Sequence, residues 1–376
     1  MPTPRVIELS GDSPFERGVQ YGAAAADLIA DGIAYYRQAF QRQARLSWEE
    51  ALRYVRQWEP LIQRDFPDLL EDMRGIARGA EVRFEEILAL NCRGELIYDN
   101  WNRAQDPASH TREETDGCTS FSLTDEGAGD GHVYAGQNWD WRHAVRGTVV
   151  VLRIVQPPKP TLIMQVEAGQ IGRHGASSAG IALNANGLGG RFDQRVGVPQ
   201  TVVRRAVLDS PTISKALDVL VHTQAHIASN ALLTDRSGFT VDLETTPGAY
   251  GWEYARDGAI VHGNHYQAFV PPQLADHHRP FSSDSLLRVP QARAGLRAAA
   301  TAEKSVDVRT AIRSAMSDHL GRPDSLCAHP DQQLDPLDRW STILSSCVDL
   351  TTGDYYIAGG TPCENPYELI PFNLYA

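Results

Sequence analysis

The chain has 376 residues, of which 42% are hydrophobic and 22% are charged, which is ordinary for a globular protein of one large or two closely joined domains. The formal net charge of −12 disfavours a nucleic acid or an anionic membrane as a partner. The opening stretch MPTPRVIELSGDSP lacks the apolar core of a secretory signal, and no apolar run has the ~18 residues of a membrane span. We therefore expect a cytoplasmic protein.

The first hundred residues predict helices, because apolar side chains recur at helical spacing. Ser47 and Glu50 form a capping-box pattern at the start of one of them. The helical stretches are PFERGVQYGAAAADLIADGIAYYRQAF, SWEEALRYVRQWEPLI, FPDLLEDMRGIARGA and RFEEILALNCRGELIYDN. The next segment, 101–117, is polar, aperiodic and broken by Pro107, which indicates an exposed loop or linker.

From Cys118 onward the sequence is rich in short β-branched and aromatic runs separated by turn signals, so we predict a multi-stranded sheet. The predicted strands are CTSFSLT, HVYAGQNWDW, GTVVVLRIV, TLIMQVEAG, GIALNANGL, 227–235, 239–245, 258–263 and the closing pair STILSSCVDL and DYYIAGG. Helices are predicted near 200–209, 212–222, 283–300 and 305–320. The order indicates an α+β, layered architecture with a helical front.

Cysteine and histidine spacing gives little indication of a metal. The five cysteines are widely separated with no CxxC pair, and the twelve histidines show neither HExxH nor HxH, so we predict no disulfide framework, no metal site and no cofactor. Cys92 and Cys347 lie in apolar patterns and are interpreted as core thiols. The adjacent His277 and His278 are interpreted as a solvated pair, because neighbouring residues cannot easily face one ion together.

Cys118 follows Gly117 at the end of the polar linker and opens a predicted strand, in DGCTSFS. It could be a buried thiol, a metal ligand or a nucleophile that becomes an N-terminus. Cleavage of the Gly117–Cys118 bond would give Cys118 a free α-amine, whose pKa of about 7.7–8.0 in peptides leaves a useful neutral fraction. Such an amine can act as the general base for its own thiol. Gly117 would tolerate the strained backbone that this cleavage requires.

Several short motifs occur in one order along the chain. They are RGVQYG, EDMRGIARGAEVRFEEILALNCRGEL, GCTSF, GQNWDW, EAGQIG, SAGIALNANGL, GVP and HGNH. Together they resemble the isopenicillin-N acyltransferase family, the C45 cysteine peptidases, from about residue 14 to about residue 350. The resemblance implies an N-terminal-nucleophile hydrolase: an αββα four-layer sandwich of two antiparallel sheets between helical layers. It also implies self-cleavage before Cys118 into fragments 1–117 and 118–376, which would stay packed together as an α/β heterodimer; a higher oligomer stays open.

The resemblance also implies roles for individual residues. Cys118 resembles the family's nucleophile, Asp140 the carboxylate that holds the amine or thiol, and Asn264 the oxyanion-hole asparagine. Arg339, in LDRWST, is the expected partner that keeps Asp140 ionised, with Arg313 or Arg322 as competitors.

Four further residues are expected near the substrate. Asn184 and Asn186 occupy the region where related enzymes line the site, although a β-turn explains the NANG run equally well. Trp139 and Trp141 both alternate with Asp140, so one of them is expected to line an acyl pocket and the other to pack in the core.

We therefore expect a cysteine amidohydrolase that cleaves the amide of a small N-acyl amine or N-acyl amino acid through a thioester on Cys118. The stretch HGNHY differs from the HTNHC of the penicillin-forming member, so penicillin chemistry is not implied. Alternatives are an acyl-CoA-dependent N-acyltransferase, an uncleaved binding protein on the same fold, and a cysteine hydrolase matured at another bond within 101–117.

Overall fold

Two β-sheets lie face to face in the computed structural model, which describes residues 4–104, 117–190, 192, 196–274 and 282–376. Of residues 101–104 it describes the backbone alone. Of the predicted linker 101–117, residues 105–116 lie outside the described residues, as does the predicted solvated pair His277 and His278. Residues 101–104 were wrongly predicted as linker, because they continue the preceding helix.

The first sheet contains eight strands in the order β1-β4-β5-β6-β7-β8-β9-β10, and the second contains six in the order β11-β2-β3-β12-β13-β14, numbered along the chain. The strands of the first sheet are β1 (Arg5–Leu9), β4 (Val149–Ile154), β5 (Leu162–Glu167), β6 (His174–Ser177), β7 (Ile181–Asn184), β8 (Ser229–Asp235), β9 (Thr240–Thr245) and β10 (Tyr250–Tyr254). The strands of the second are β2 (Thr119–Leu123), β3 (Tyr134–Arg142), β11 (Ala259–His262), β12 (Trp340–Asp349), β13 (Asp354–Ala358) and β14 (Glu368–Asn373).

The prediction of two antiparallel sheets was wrong at one edge. Every pair in the second sheet is antiparallel, but β1 pairs with β4 in parallel in the first. No hairpin joins these strands, because the helical front lies between them in sequence, so nothing local forces an antiparallel direction. Strands β1, β6, β10 and β14 were not predicted; all are only four to six residues long and provide little alternation to recognise.

The helices largely follow the predicted stretches. They are α1 (Pro14–Ala24), α2 (Ala26–Gln43), α3 (Trp48–Val55), α4 (Glu59–Asp65), α5 (Pro67–Ala80), α6 (Phe84–Asn91), α7 (Arg93–Ala104), α8 (Gln200–Leu208), α9 (Ile213–His222), α10 (Ser285–Leu296) and α11 (Ser305–Met316). The capping box is confirmed, with the Glu50 carboxylate accepting from Ser47 N at 2.8 Å. The first predicted helix divides at Ala25, whose backbone leaves the helical conformation.

The helices and sheets form four layers, and an apolar cluster fills each of the three spaces between them. Side chains such as Val151 and Ile163 from the first sheet meet Ile343 and Tyr355 from the second. The other face of the first sheet packs against α1 to α9. The other face of the second sheet packs against α10 and α11, with Phe121 among the contacting residues. The structure therefore has the predicted αββα sandwich.

The helical front is part of the same core as the β-rich body. Apolar residues of α1 to α7 and of the first sheet form one cluster. Polar contacts also cross between them: Tyr36 donates to the Glu167 carboxylate at 2.7 Å, and Asn91 Nδ2 donates to Gly169 O at 2.9 Å. Among the described residues, no helix has both the length and the apolar composition needed to cross a bilayer.

Candidate active site

Cys118 lies immediately before β2, with its side chain fully buried between the two sheets. Strand β2 pairs with β3 so that Thr119 lies opposite Asn138. This antiparallel register directs the residues just before β2 toward the end of β3, where Asp140 is found. The Cys118 thiol accordingly lies 3.6 Å from the main-chain oxygen of Asp140.

The Asp140 carboxylate lies beside the peptide bond that precedes Cys118. A Cβ atom built on Gly117 would lie 3.1 Å from the Asp140 Cβ and 3.5 Å from its Oδ2. A side chain at position 117 would therefore press on this carboxylate, which gives glycine a local steric reason. The predicted nucleophile, glycine and carboxylate are thus brought together.

One partner of Asp140 is a hydroxyl that the sequence analysis did not predict. Thr342, on the neighbouring β12, donates its hydroxyl to Asp140 Oδ1 at 2.6 Å. Arg339 instead donates from Nε to Leu334 O at 3.0 Å and from Nη2 to Gln332 O at 3.2 Å. The prediction that Arg339 pairs with Asp140 was therefore wrong, because the Arg339 guanidinium binds the loop just before β12.

Arg288 is a site residue that sequence analysis missed. It is 1% exposed, and its Nη1 donates to Cys118 O and to Thr119 Oγ1, both at 2.6 Å. Its Nη2 donates to Asn264 Oδ1 at 2.8 Å, and its Nε to Asp284 Oδ2 at 2.8 Å. An arginine within the buried stripe of α10 was the available signal, because cations rarely lie in such stripes unless they are paired.

Asn264 is oriented by bonds on both sides of its amide. Its Oδ1 accepts from Arg288, and its Nδ2 donates to Gly187 O at 3.0 Å. These partners fix which end is oxygen and which is nitrogen. An amide nitrogen carries two N–H donors, and among the described residues Gly187 O accepts one of them, which leaves the other for a carbonyl oxygen. Asn264 therefore stays the predicted oxyanion donor.

A buried ionic cluster of His262, Asp242 and Glu244 lies next to the segment that contains Asn264. His262 Nε2 lies 2.9 Å from Glu244 Oε1 and 3.4 Å from Asp242 Oδ2. Burial alone would lower the pKa of His262, but the charge of Asp242 and the hydrogen bond to Glu244 raise it to about 9. Burial also raises the pKa of Asp242 to about 6. Because Glu244 also accepts backbone N–H groups of the following loop, including that of Ala268 at 3.1 Å, we interpret the cluster as structural.

Asn184 and Asn186, which were expected near the substrate, do not line the pocket between α7, α8 and the segment 187–190. Asn186 Nδ2 donates to Ser120 Oγ at 3.0 Å and to His262 O at 3.1 Å, and its Oδ1 accepts from Gln137 at 3.1 Å. These bonds use the amide to join the two sheets. Asn184 is buried at the end of β7.

The two tryptophans divide between core and pocket. Trp139 is fully buried between the sheets, with the Arg173 guanidinium 4.0 Å from its ring centre. Trp141 lines a pocket, where its Nε1 donates to Tyr36 OH at 3.0 Å and Arg93 lies 4.2 Å from its ring centre.

That pocket lies between α7, α8 and the segment 187–190, with a cavity volume of about 130 Å³. Apolar side chains including Ile97 and Leu188 line it together with Arg173. Gly187, which binds the Asn264 amide, is also in its wall, so the pocket adjoins the oxyanion candidate. Both the helical front and the β-rich body contribute to it.

The four-layer αββα sandwich, with a buried cysteine immediately before an inner strand, agrees with the fold that the resemblance to N-terminal-nucleophile hydrolases implied. The chain belongs to the family "Acyl-coenzyme A:6-aminopenicillanic acid acyl-transferase", whose model matches residues 127–360. The matched range begins after Cys118, so this match does not include the predicted nucleophile.

A curated relative supports the same family. The 40 kDa form of acyl-coenzyme A:6-aminopenicillanic-acid-acyltransferase from Emericella nidulans is 32% identical over 255 residues, covering 67% of each chain. Solved structures with partial similarity include penicillin V acylase from Agrobacterium tumefaciens (18% identity, TM-score 0.43, 64% of this chain and 83% of that one). Another is a variant of conjugated bile acid hydrolase from Clostridium perfringens (12% identity, TM-score 0.44, 69% and 94%).

Proposed function

We propose that this chain is a self-processing cysteine amidohydrolase, with Cys118 as its nucleophile. The observation that carries the proposal is the meeting of three groups: the buried Cys118 thiol, the Gly117 backbone and the Asp140 carboxylate. An autocatalytic cut needs a thiol to attack, a carbonyl to be attacked and a carboxylate to transfer protons.

Maturation begins when the Cys118 sulfur attacks the carbonyl carbon of Gly117. The C–N bond breaks as the C–S bond forms, and the thiol proton passes to the departing Cys118 nitrogen. Water then cleaves the thioester, which leaves a carboxylate on Gly117 and a free thiol and α-amine on Cys118. Asp140, whose carboxylate lies beside Gly117, would accept and return protons during these steps.

Catalysis uses the new α-amine as the base for the neighbouring thiol. The sulfur attacks the substrate amide, and the free N–H of Asn264 donates to the oxygen that becomes negative. The leaving amine takes the proton that the α-amine had accepted. Water hydrolyses the resulting thioester and releases the carboxylic acid.

The substrate class is a small N-acyl amine or N-acyl amino acid. The pocket combines apolar side chains such as Ile97 and Leu188 with Arg173, which suits an acyl chain next to a polar or anionic group. Hydrolysis is the favoured outcome, because water is always present whereas acyl transfer needs an acceptor site. The family name favours the second candidate, an acyl-CoA-dependent N-acyltransferase, in which an amine replaces water at the thioester.

Fragments 1–117 and 118–376 would stay together as a heterodimer after cleavage. The shared apolar cluster and the buried contacts of Glu167 with Arg93 and Tyr36 support this expectation, because separation would expose them to water.

Intact-mass analysis and N-terminal sequencing test the proposal. Wild-type protein should give two fragments, the second beginning at Cys118, whereas Cys118→Ala should stay full length. Only the processed form should release amine from a panel of N-acyl substrates. A single uncut and inactive wild-type chain would favour a binding protein, and a fragment beginning elsewhere in 101–117 would overturn the α-amine mechanism.

A further inference from the structure

A second group of reactive side chains lies outside the site described above. His319, Cys327, His329 and Cys363 place one ligand atom each within 4.8 Å of all the others. The first three come from the loop after α11, and Cys363 comes from the loop between β13 and β14. Their spacing, with one thiol far along the chain, has no CxxC or HxH signature, so the sequence analysis predicted no metal.

Four of the six distances between these atoms fit a tetrahedral metal site, and the other two lie within 4.8 Å. The Cys327 and Cys363 sulfurs are 3.5 Å apart, and His329 Nε2 lies 3.8 Å and 3.4 Å from them. The Nε2 atoms of His319 and His329 are 3.1 Å apart. Zinc–sulfur bonds of about 2.3 Å and zinc–nitrogen bonds of about 2.0–2.1 Å, arranged tetrahedrally, place sulfurs ~3.8 Å apart, nitrogens ~3.3 Å apart, and mixed pairs ~3.6 Å apart.

A disulfide and a purely hydrogen-bonded network both fit the cluster less well than a metal ion does. The sulfur–sulfur distance of 3.5 Å is far from the ~2.0 Å of a disulfide. A network of hydrogen bonds alone would not require four ligand atoms to converge, and thiols are weak donors.

All four ligands lie in loops, where backbone hydrogen bonds hold the chain in place. Cys327 N donates to Asp318 O at 3.0 Å, and His329 N donates to Pro323 O at 3.1 Å. The second loop is fastened by Arg313, once a candidate partner of Asp140, which donates from Nε to the carbonyl of Asn365 at 3.1 Å. An ion would cross-link these two loops, which are separated along the chain by β12 and β13.

We propose that His319, Cys327, His329 and Cys363 bind one divalent metal ion, with zinc as the ion that two thiolates and two imidazoles favour. All four positions are filled by the protein, as in structural zinc sites. Cys327 is buried, His329 and Cys363 are half-buried and His319 is exposed, so His319 is the outermost ligand. A solvent-open cavity of about 320 Å³ beside His329 gives the ion a route in.

The site is connected to the active-site carboxylate. Ala328, between two of the ligands, donates its N–H to Thr342 Oγ1 at 3.0 Å and accepts from Thr342 N at 3.0 Å. Thr342 in turn donates to Asp140 Oδ1 at 2.6 Å. The ion would therefore stabilise the loop that positions Thr342 against Asp140. Metal binding is independent of the proposed function, and only this effect on Asp140 rests on it.

Metal content tests the site directly. Purified wild-type protein, dialysed against a weak chelator, should retain one zinc per chain by elemental analysis. Cobalt loaded into the zinc-free protein should give the thiolate-to-metal charge-transfer absorption of a tetrahedral site. Wild-type protein that retains no zinc after supplementation and shows no such absorption with cobalt would overturn the proposal. So would an intact mass that reveals a Cys327–Cys363 disulfide.

Substitutions identify the ligands. His319→Ala should lose the bound zinc in the same dialysis and lower the melting temperature, whereas His222→Ala should change neither, since it replaces another exposed histidine away from the cluster. Cys363→Ser should abolish the cobalt charge-transfer band or halve its intensity. Equal zinc retention by all three variants would contradict the assignment. Because zinc content is measured apart from cleavage, a failure here is distinguishable from a failure of self-processing.

Discussion

The Thr342 hydroxyl donates to Asp140 Oδ1 at 2.6 Å, across the adjacent strands β12 and β3. A hydroxyl therefore binds this carboxylate, whereas Arg339, the expected partner, binds the loop before β12. The Thr342 Oγ1 atom also accepts the Ala328 N–H, so Thr342 links the carboxylate to the neighbouring loop. Thr342 thus contributes to the position of the predicted catalytic carboxylate.

The first prediction concerns this link. Thr342→Val keeps the shape of the side chain but removes the hydroxyl, so self-cleavage should slow by roughly ten-fold, equivalent to about 1.4 kcal/mol of lost positioning. Thr342→Ser keeps the hydroxyl and should cleave at a rate close to wild type. The time course of the uncut band, followed by gel and intact mass, measures both. Equal rates for the valine and serine variants would rule out a positioning role.

The second prediction concerns Asn264 in the processed enzyme. Asn264→Asp keeps an oxygen for Arg288 but removes the N–H donor, so kcat should fall by about 10²–10³. Thermal unfolding of the same sample should show that the variant is folded. Steady-state kinetics with a responsive N-acyl substrate provide the measurement, and an unchanged kcat would remove Asn264 from the oxyanion site.

The third prediction concerns Arg288, whose guanidinium donates to Cys118 O, Thr119, Asn264, Asp284 and Ser282. Arg288→Ala should lower the free energy of unfolding by about 3–5 kcal/mol, because it leaves buried polar groups unpaired. Arg293→Ala, on the exposed face of the same helix, is the control and should change it by less than ~0.5 kcal/mol. Urea unfolding compares the two variants, and similar losses would mean that the buried network contributes little.

The fourth prediction is a loss of stability at alkaline pH. The pKa of His262 is about 9 in the folded protein against an ordinary value of 6.5, since Asp242 and Glu244 favour its charged form. The charged form therefore stabilises the fold fully below pH 6.5, and this contribution disappears as the pH rises through 9. The loss should reach about 3 kcal/mol.

Unfolding in urea between pH 6 and pH 10 tests this expectation. Glu244→Gln, which retains an oxygen acceptor but removes a negative charge, should make the curve flatter. The ring of His265 stacks on that of His262, with 6.5 Å between the ring centres. Because His265 is present in both wild type and Glu244→Gln, its own contribution is common to the two curves. Identical slopes for wild type and variant would show that the His262 titration is not the source.

The local patterns of the sequence predicted most of the elements correctly. The sequence predicted helices α3 and α5 and strands β2, β3 and β12. Each of these elements has a pattern of apolar residues that can be recognised within its own stretch of the chain. Short edge strands such as β1 and β14 were missed, because their formation depends on the partner strand that they meet.

The sequence by itself determined the layered α+β class, the position of Cys118 after Gly117, and the carboxylate and amide candidates Asp140 and Asn264. Only the tertiary structure decided which groups meet them. Thr342 is 202 residues from Asp140 and Arg288 is 170 residues from Cys118, and Cys363 joins His329 across 34 residues. Such contacts are set by strand register and by the packing of distant loops, and neither leaves a spacing that the sequence alone displays.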